Sequence, residues 1–268
     1  MLPHVWKSYS LGERYEYVIS KLKGNSNLEK YVRDDNYFRE NEETKTIIYK
    51  TEILSPSRSE NRIRVLLLFS NPNPQSIMAG MFLSPQRRIN QFWLSMEGAE
   101  MFRLSQKIHK EDFPEPIRST FLDLNYNPPF SFYFYTFFSF PSRDPEDLKD
   151  IFGPSFFRQM VNESRCNLLE FVQLEKINHI VCFGKQAFQF ISIYDETYFK
   201  TVKYTKNIKE KGFMDSPLTI NNMSMRQINL YLTYPTAQGG VTASERIKSL
   251  KIIKAEIQNR HKPSNVNG

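Results

Sequence analysis

Apolar residues recur along the chain in two patterns. One is continuous: Ile63-Arg64-Val65-Leu66-Leu67-Leu68-Phe69, the aromatic stretch from Phe130 to Phe140, and His179-Ile180-Val181-Cys182-Phe183-Gly184. Runs of this kind, bounded by turn formers, are those of central parallel strands buried on both faces. They predict three core strands, and Ile228 to Leu232 supplies a fourth. The other pattern is helical. Leu11, Tyr15, Val18 and Leu22 share a face behind Ser10 and Glu13, which stand at capping-box spacing. Asn90 to Phe102 carries Phe92, Trp93, Met96 and Met101, and Ser164 to Ile177 turns Leu168, Leu169 and Val172 inward. Gly184 opens a further helix at Lys185-Gln186-Ala187-Phe188. Thr242-Ala243-Ser244-Glu245 caps a last one with Ile247, Leu250, Ile253 and Ile257 inward.

Strands alternating with helices predict a three-layer α/β/α sandwich with a mostly parallel central sheet, spanning residues 61–262. Residues 1–60, with Gly24-Asn25-Ser26-Asn27 as an interruption and Thr46 to Lys50 as one short strand, read as a mainly helical extension. Residues 263–268 read as a flexible tail. Open parallel sheets bind ligands at the carboxyl ends of their strands. Chemistry is therefore expected in the loops after Phe69, Phe140, Gly184 and Leu232.

Composition narrows the function classes. The longest lipophilic stretch, 130–140, is 11 residues, short of the roughly 18 a membrane helix needs. The start of the chain lacks the pattern of a signal peptide, so the cytoplasm is the expected location. Cys166 and Cys182 are two cysteines only, which excludes a disulfide framework and an iron–sulfur cluster; both read as buried core thiols. His4, His109, His179 and His261 are scattered, so no metal site is expected. Neither phosphate-binding glycine motif occurs, so no nucleotide cofactor is expected. The net charge is +7, and residues 1–60 hold ten basic and ten acidic side chains, so the excess lies downstream. Lys200 to Lys211 has five lysines against Glu210, and Val241 to Gly268 six basic residues against Glu245 and Glu256. Such a concentration suits a polyanion; a solvated basic surface is the alternative.

The loops form a known sequence of motifs. Leu66 to Ser76, with Ser70-Asn71-Pro72-Asn73-Pro74 after the strand, is followed by Gly80-Met81-Phe82 and by Asn90-Gln91-Phe92-Trp93. This resembles the first motif of the mismatch-specific uracil/thymine-DNA glycosylases, in which an apolar strand runs into Asn-Pro-Gly, a glycine-containing loop and Asn-Arg-Phe-Trp. Cys166-Asn167-Leu168-Leu169 and Ile180 to Ala187 resemble the cysteine-containing helix and strand-Gly-x-x-Ala element of the uracil-DNA glycosylase superfamily. Leu232-Thr233-Tyr234-Pro235-Thr236 stands where the family has His-Pro-Ser or Asn-Pro-Ser. The resemblance covers residues 62–260 and implies a uracil-DNA-glycosylase-like fold. It also implies a monofunctional, cofactor-independent glycosylase that flips a base out of double-stranded DNA and hydrolyses its N-glycosidic bond.

By resemblance Asn71 positions the attacking water, in a branch without the catalytic carboxylate of the uracil-specific enzymes. No Asp or Glu occurs between Asn61 and Met96. Asn-Pro is also a favoured plain turn. Ser70, Pro72, Asn73, Met81, Phe82, Asn90 and Thr136 are implied to line the base pocket, with Phe82 readable equally as core. DNA contacts are implied for Arg87, Arg88, Tyr234, Thr236, Gln238, Gly239, Gly240 and Lys248. For the arginines a solvated loop, and for the glycines an ordinary turn, are the alternatives. Three departures bear on the substrate. Asn-Pro-Gly has become Asn71-Pro72-Asn73, Tyr234 replaces His or Asn, and Thr136 falls near the asparagine that reads the uracil edge. A pocket for another base explains these changes, and so does loss of activity, which would leave a nucleic-acid or modified-base binding module. One branch resembling this superfamily excises glucosylated hydroxymethylcytosine from phage DNA, and such an antiviral substrate is an open expectation here.

Overall fold

The computed structural model describes residues 4–57, 61–84, 89–104, 107, 109, 111, 115–127, 129–192, 204–218, 228–236 and 241–261. Its centre is a five-stranded sheet. Strands β4 (Ile63–Phe69), β5 (Phe130–Thr136), β6 (His179–Phe183) and β8 (Ile228–Thr233) run parallel, and β7 (Met214–Leu218) joins β8 antiparallel, in the order β5-β4-β6-β8-β7. The continuous apolar runs thus become strands buried on both faces. From β4, Leu66 and Leu68 enter one core layer while Val65, Leu67 and Phe69 enter the other.

Helices cover both faces. On one side lie α6 (Pro145–Phe152), α7 (Pro154–Leu174) and α8 (Lys185–Ile191), and on the other α4 (Gln91–Gly98), α5 (Glu115–Leu122) and α10 (Ala243–His261), while α9 (Tyr204–Lys211) leads into β7. The fold is the α/β sandwich that the alternation of elements predicts. Helix α7 begins at Pro154, ten residues before the predicted start, because Gly153 and Pro154 form its first turn and proline suits that position. Its inward stripe is Met160, Ser164, Leu168 and Val172. Cys166 falls on the opposite face and is exposed, so of the two expected core thiols only Cys182 is one.

The first 57 residues are not mainly helical. Strands β1 (His4–Ser10), β2 (Phe38–Asn41) and β3 (Thr46–Glu52) form an antiparallel sheet in the order β1-β3-β2, accompanied by α1 (Tyr15–Gly24) and α2 (Glu29–Val32). Ser10 does not cap a helix: it ends β1 opposite Thr46, and strand pairing takes the backbone that a cap would need. The stripe Leu11, Tyr15, Val18 and Leu22 is nevertheless buried, in the same cluster as Leu66, Tyr133 and Ile180 of the central strands. Beyond β3, Leu54 exchanges both backbone hydrogen bonds with Phe134 (3.0 and 2.9 Å), fastening the small sheet to the β5 edge of the large one.

Candidate functional site

The chain leaves β4 toward β5 on one side and leaves β6 toward β8 on the other. The gap between the carboxyl ends of β4 and β6 is therefore the switch point at which open α/β sheets form a crevice. Residues 70–73 stand at one lip and Gly184 at the other. Phe137 N donates to Phe69 O (2.8 Å) and Phe138 N to Ser70 O (2.9 Å), so the chain after β5 stays zipped to the chain after β4. Ser142 N donates to Pro72 O at 3.1 Å.

Asn71 is half-buried in this braid, and its Nδ2 donates to Ser142 O at 2.5 Å. A carbonyl can only accept, so this bond fixes Nδ2 as the end of the carboxamide that faces Ser142. Oδ1 is left as an acceptor, with no protein donor on it among the described residues. An acceptor of this kind holds a water by one O–H while leaving the water's lone pairs unengaged.

The neighbouring asparagines have local duties. Asn73 is the N-cap of α3 (Pro74–Ala79), its Oδ1 accepting from Gln75 N at 2.8 Å. Its backbone is extended (φ −86°, ψ 128°), so the position makes no demand for the glycine of the family motif, and an asparagine caps better. Asn90 caps α4 in the same way, through Phe92 N at 2.9 Å. Ser70 is half-buried, Pro72 buried.

Met81 and Phe82 lie in the core layer beneath the site. The Phe82 ring stands 5.8 Å from Phe69 and 5.5 Å from Phe134, which resolves its two alternatives in favour of packing in this state. Thr136, at the end of β5 opposite Phe69, is also buried. Tyr234, for which a DNA contact is expected, does not lie on the surface. It is 3% exposed and belongs to the core, and burial pushes its hydroxyl pKa up. Its backbone follows β8 directly, and its ring joins the core layer that holds Leu232, Ala187 and Phe188. Thr236 is half-buried and Lys248 exposed. Arg87, Arg88, Gln238, Gly239 and Gly240 lie outside the described residues.

At the second lip, Gly184 has φ +110°, a backbone state open to glycine, and a Cβ there would meet Pro235 at 3.4 Å. The loops after β6 and β8 are thereby brought together. The N-terminus of α10 carries the predicted capping box: Thr242 N and Oγ1 donate to Glu245 Oε2 (2.8 and 3.0 Å), and Glu245 N to Thr242 Oγ1 (3.2 Å). That places a carboxylate where a phosphate would otherwise sit, so this helix end is not an anion site.

Two further residues escape sequence reasoning. Arg246 is 7% exposed, donates Nη1 to Pro235 O, and lines a depression with Phe92, Ser95, Phe183, Thr233, Tyr234, Thr236 and Leu250. Desolvation lowers its pKa. The signal was present: Arg246 begins the inward stripe completed by Leu250, Ile253 and Ile257. The other is Glu52. It ends β3, paired with His4 of β1 and two residues before the bridge of Leu54 with Phe134. Glu52 is buried, its Oε2 has no hydrogen-bond partner among the described residues, and loss of water holds its pKa well above the carboxylate range.

Among the described residues no cluster of His, Cys, Asp or Glu can hold a metal, and no helix is long and apolar enough to cross a membrane. A scan against protein-family models finds no match for the chain, and a search of curated proteins finds none either.

Proposed function

We propose that this protein is a DNA glycosylase related to the mismatch-specific uracil/thymine enzymes, acting without metal or cofactor on a base flipped out of double-stranded DNA. The observation that carries the reading is Asn71 at the sheet's switch point, its Nδ2 bound to Ser142 O so that Oδ1 is left as the acceptor. In the reaction the water held by Oδ1 attacks C1′ of the nucleotide. The C1′–N bond breaks, its electron pair leaves with the base, and the water's second proton passes to solvent or to the departing base. The sugar is cationic as this happens, so a neutral amide that orients water suffices where a strong base is not needed.

The substrate class proposed is a modified cytosine such as the glucosylated hydroxymethylcytosine of phage DNA, which would make the protein an antiviral, cytoplasmic enzyme. Incubation with DNAs containing uracil, mismatched thymine or hypermodified cytosine, followed by detection of abasic sites, tests this. Asn71→Ala is expected to lower excision on the order of a hundredfold, the usual cost of a misplaced reactant, with DNA binding retained. Normal cutting by that variant would remove Asn71 from the mechanism. A second reading, an inert nucleic-acid-binding module on the same scaffold, draws on the burial of Phe82, Thr136 and Tyr234. A blank assay across the whole panel, with DNA binding intact, would favour it.

A further inference from the structure

The small N-terminal sheet has an inner and an outer face. Tyr49 and Thr51 of β3 point into the molecule, while Trp6 and Ser8 of β1 and Arg39 of β2 lie on the outer side. Strand register assembles a row across that outer side. Trp6 is opposite Lys50, and Lys50 N donates to Tyr37 O at 2.8 Å just ahead of β2. The Lys50 ammonium stands 5.2 Å from the centre of the Trp6 ring and 5.1 Å from that of Tyr37. Arg39, opposite Ile48, adds its guanidinium 4.8 Å from the Trp6 ring, oriented by a bond from its Nε to Asp35 O (3.0 Å). The nearest acidic neighbour in sequence, Glu40, is held by Lys23 at 2.7 Å.

A tryptophan with 38% of its surface exposed is costly to leave in water, and two cations converge on it where no carboxylate is paired with either among the described residues. Aromatic rings interleaved with Arg and Lys on an open sheet face are how proteins hold unpaired nucleic acid: bases stack on the rings and phosphates meet the cations. The row is coupled to the candidate site by a short path. The Tyr37 hydroxyl donates to Met78 O (3.2 Å) in α3, whose N-cap is Asn73.

We propose that the Trp6–Lys50–Tyr37 row with Arg39 is a binding surface for an unpaired segment of nucleic acid, one base stacking on Trp6 and adjacent phosphates lying on Arg39 and Lys50. The choice of nucleic acid as the occupant rests on the glycosylase reading as well as on the two cations. The neutral total charge of residues 1–60 conceals this surface, because the sheet gathers cations on one face while Glu16, Glu29 and Glu40 are engaged by Lys45, Arg33 and Lys23.

The test uses the full chain, labelled oligodeoxythymidine and a duplex of the same length. The chain has two tryptophans, and Trp93 is wholly buried, so quenching of indole fluorescence by the oligonucleotide reports Trp6. Trp6→Phe, which keeps a ring, should retain binding and abolish the quenching. Trp6→Ala should weaken binding to the single strand roughly fivefold or more, the ordinary worth of one stacked base. Arg39→Gln and Lys50→Gln should each reduce the slope of log affinity against log salt by about 0.7. Circular dichroism and melting temperature confirm that each variant is folded.

Several results would overturn the surface: no binding of the single strand, quenching that persists in Trp6→Phe, wild-type affinity in Trp6→Ala, or losses confined to the duplex. The abasic-site assay runs in parallel and separates the two ideas. Quenching with no excision on any DNA removes the glycosylase reading and keeps the surface; excision with no effect at Trp6 does the reverse.

Discussion

At Glu52 burial and charge oppose each other. Its carboxyl is buried and held in the acid form by desolvation, while the same group in an unfolded chain ionises near 4.5. With the folded pKa raised, the folded state binds the extra proton, so stability falls as pH climbs from the unfolded value toward the folded one. Each pH unit in that window costs about 1.4 kcal/mol. Glu52→Gln removes the titration, and at about pH 7 it should be more stable than the parent. Near pH 4 both carboxyls are protonated and the gain should vanish. Denaturant unfolding at the two pH values decides, and a gain that does not change with pH would mean that Glu52 is ionised in the folded protein. His179 has the opposite sign. It is buried beside Tyr231 with its pKa pushed down to about 4, chiefly by burial. The stability this confers is present above about pH 6.5 and drains away as pH falls toward 4. His179→Phe should flatten that acid limb in a thermal-melt series; an unchanged limb would place the acid sensitivity elsewhere. Neither role was legible in the sequence. Glu52 ends a short strand of mixed polarity, where a glutamate ordinarily faces water, and its burial leaves no trace in the local pattern.

At the scale of elements, continuous apolar runs and capped helical stripes were readable because burial on both faces or on one stripe leaves a periodic trace. The runs ending at Phe69, Phe183 and Thr233 became parallel strands, and Thr242 with Glu245 formed the expected box. Strands β1 and β7 left no such trace. Each is an edge strand, and β1 alternates between half-buried and exposed positions, so it reads as surface chain until its partner is known. Helix α3 has six residues, too few for a periodic stripe. The site motif was legible in the same uneven way. Asn71 was found by resemblance, yet its orientation depends on Ser142, a contact across 71 positions of sequence. Asn73 has a duty within its element as the cap of α3. Asn73→Ala should cost about 1 kcal/mol of stability through loss of the α3 cap, and Asn73→Gly only a few tenths. Both should bind DNA as the parent does. A large loss of excision in Asn73→Gly with normal stability would instead give the side chain a chemical part.

For the whole molecule, the decisive fact is that the first 57 residues do not stand apart. Tyr15, Val18, Leu22, Tyr31 and Tyr49 share one buried cluster with Leu66, Leu68, Tyr133 and Ile180, and the Tyr49 hydroxyl meets Ser139 Oγ at 2.7 Å, in the chain that follows β5. Arg14 reaches across to Phe152 O at 3.1 Å. A side chain of this size loses about 1.5–3 kcal/mol when burial is undone, and a domain has only about 5–15 kcal/mol of net stability to lose. Losing five such side chains therefore costs about as much as the whole net stability of a domain. The chain should melt in a single transition, identical by tryptophan fluorescence of Trp93 and by far-ultraviolet circular dichroism. A truncated protein beginning at Asn61 should be insoluble or lack a cooperative melt, although it would keep every residue of the family-like motifs. If it instead folds cooperatively and keeps the melting temperature of the full chain, the N-terminal sheet is an attachment and not a structural half of the core. The proposed nucleic-acid surface on that sheet could then be removed without touching the chemistry proposed for Asn71, and binding and excision, if both occur, would be separable by deletion alone.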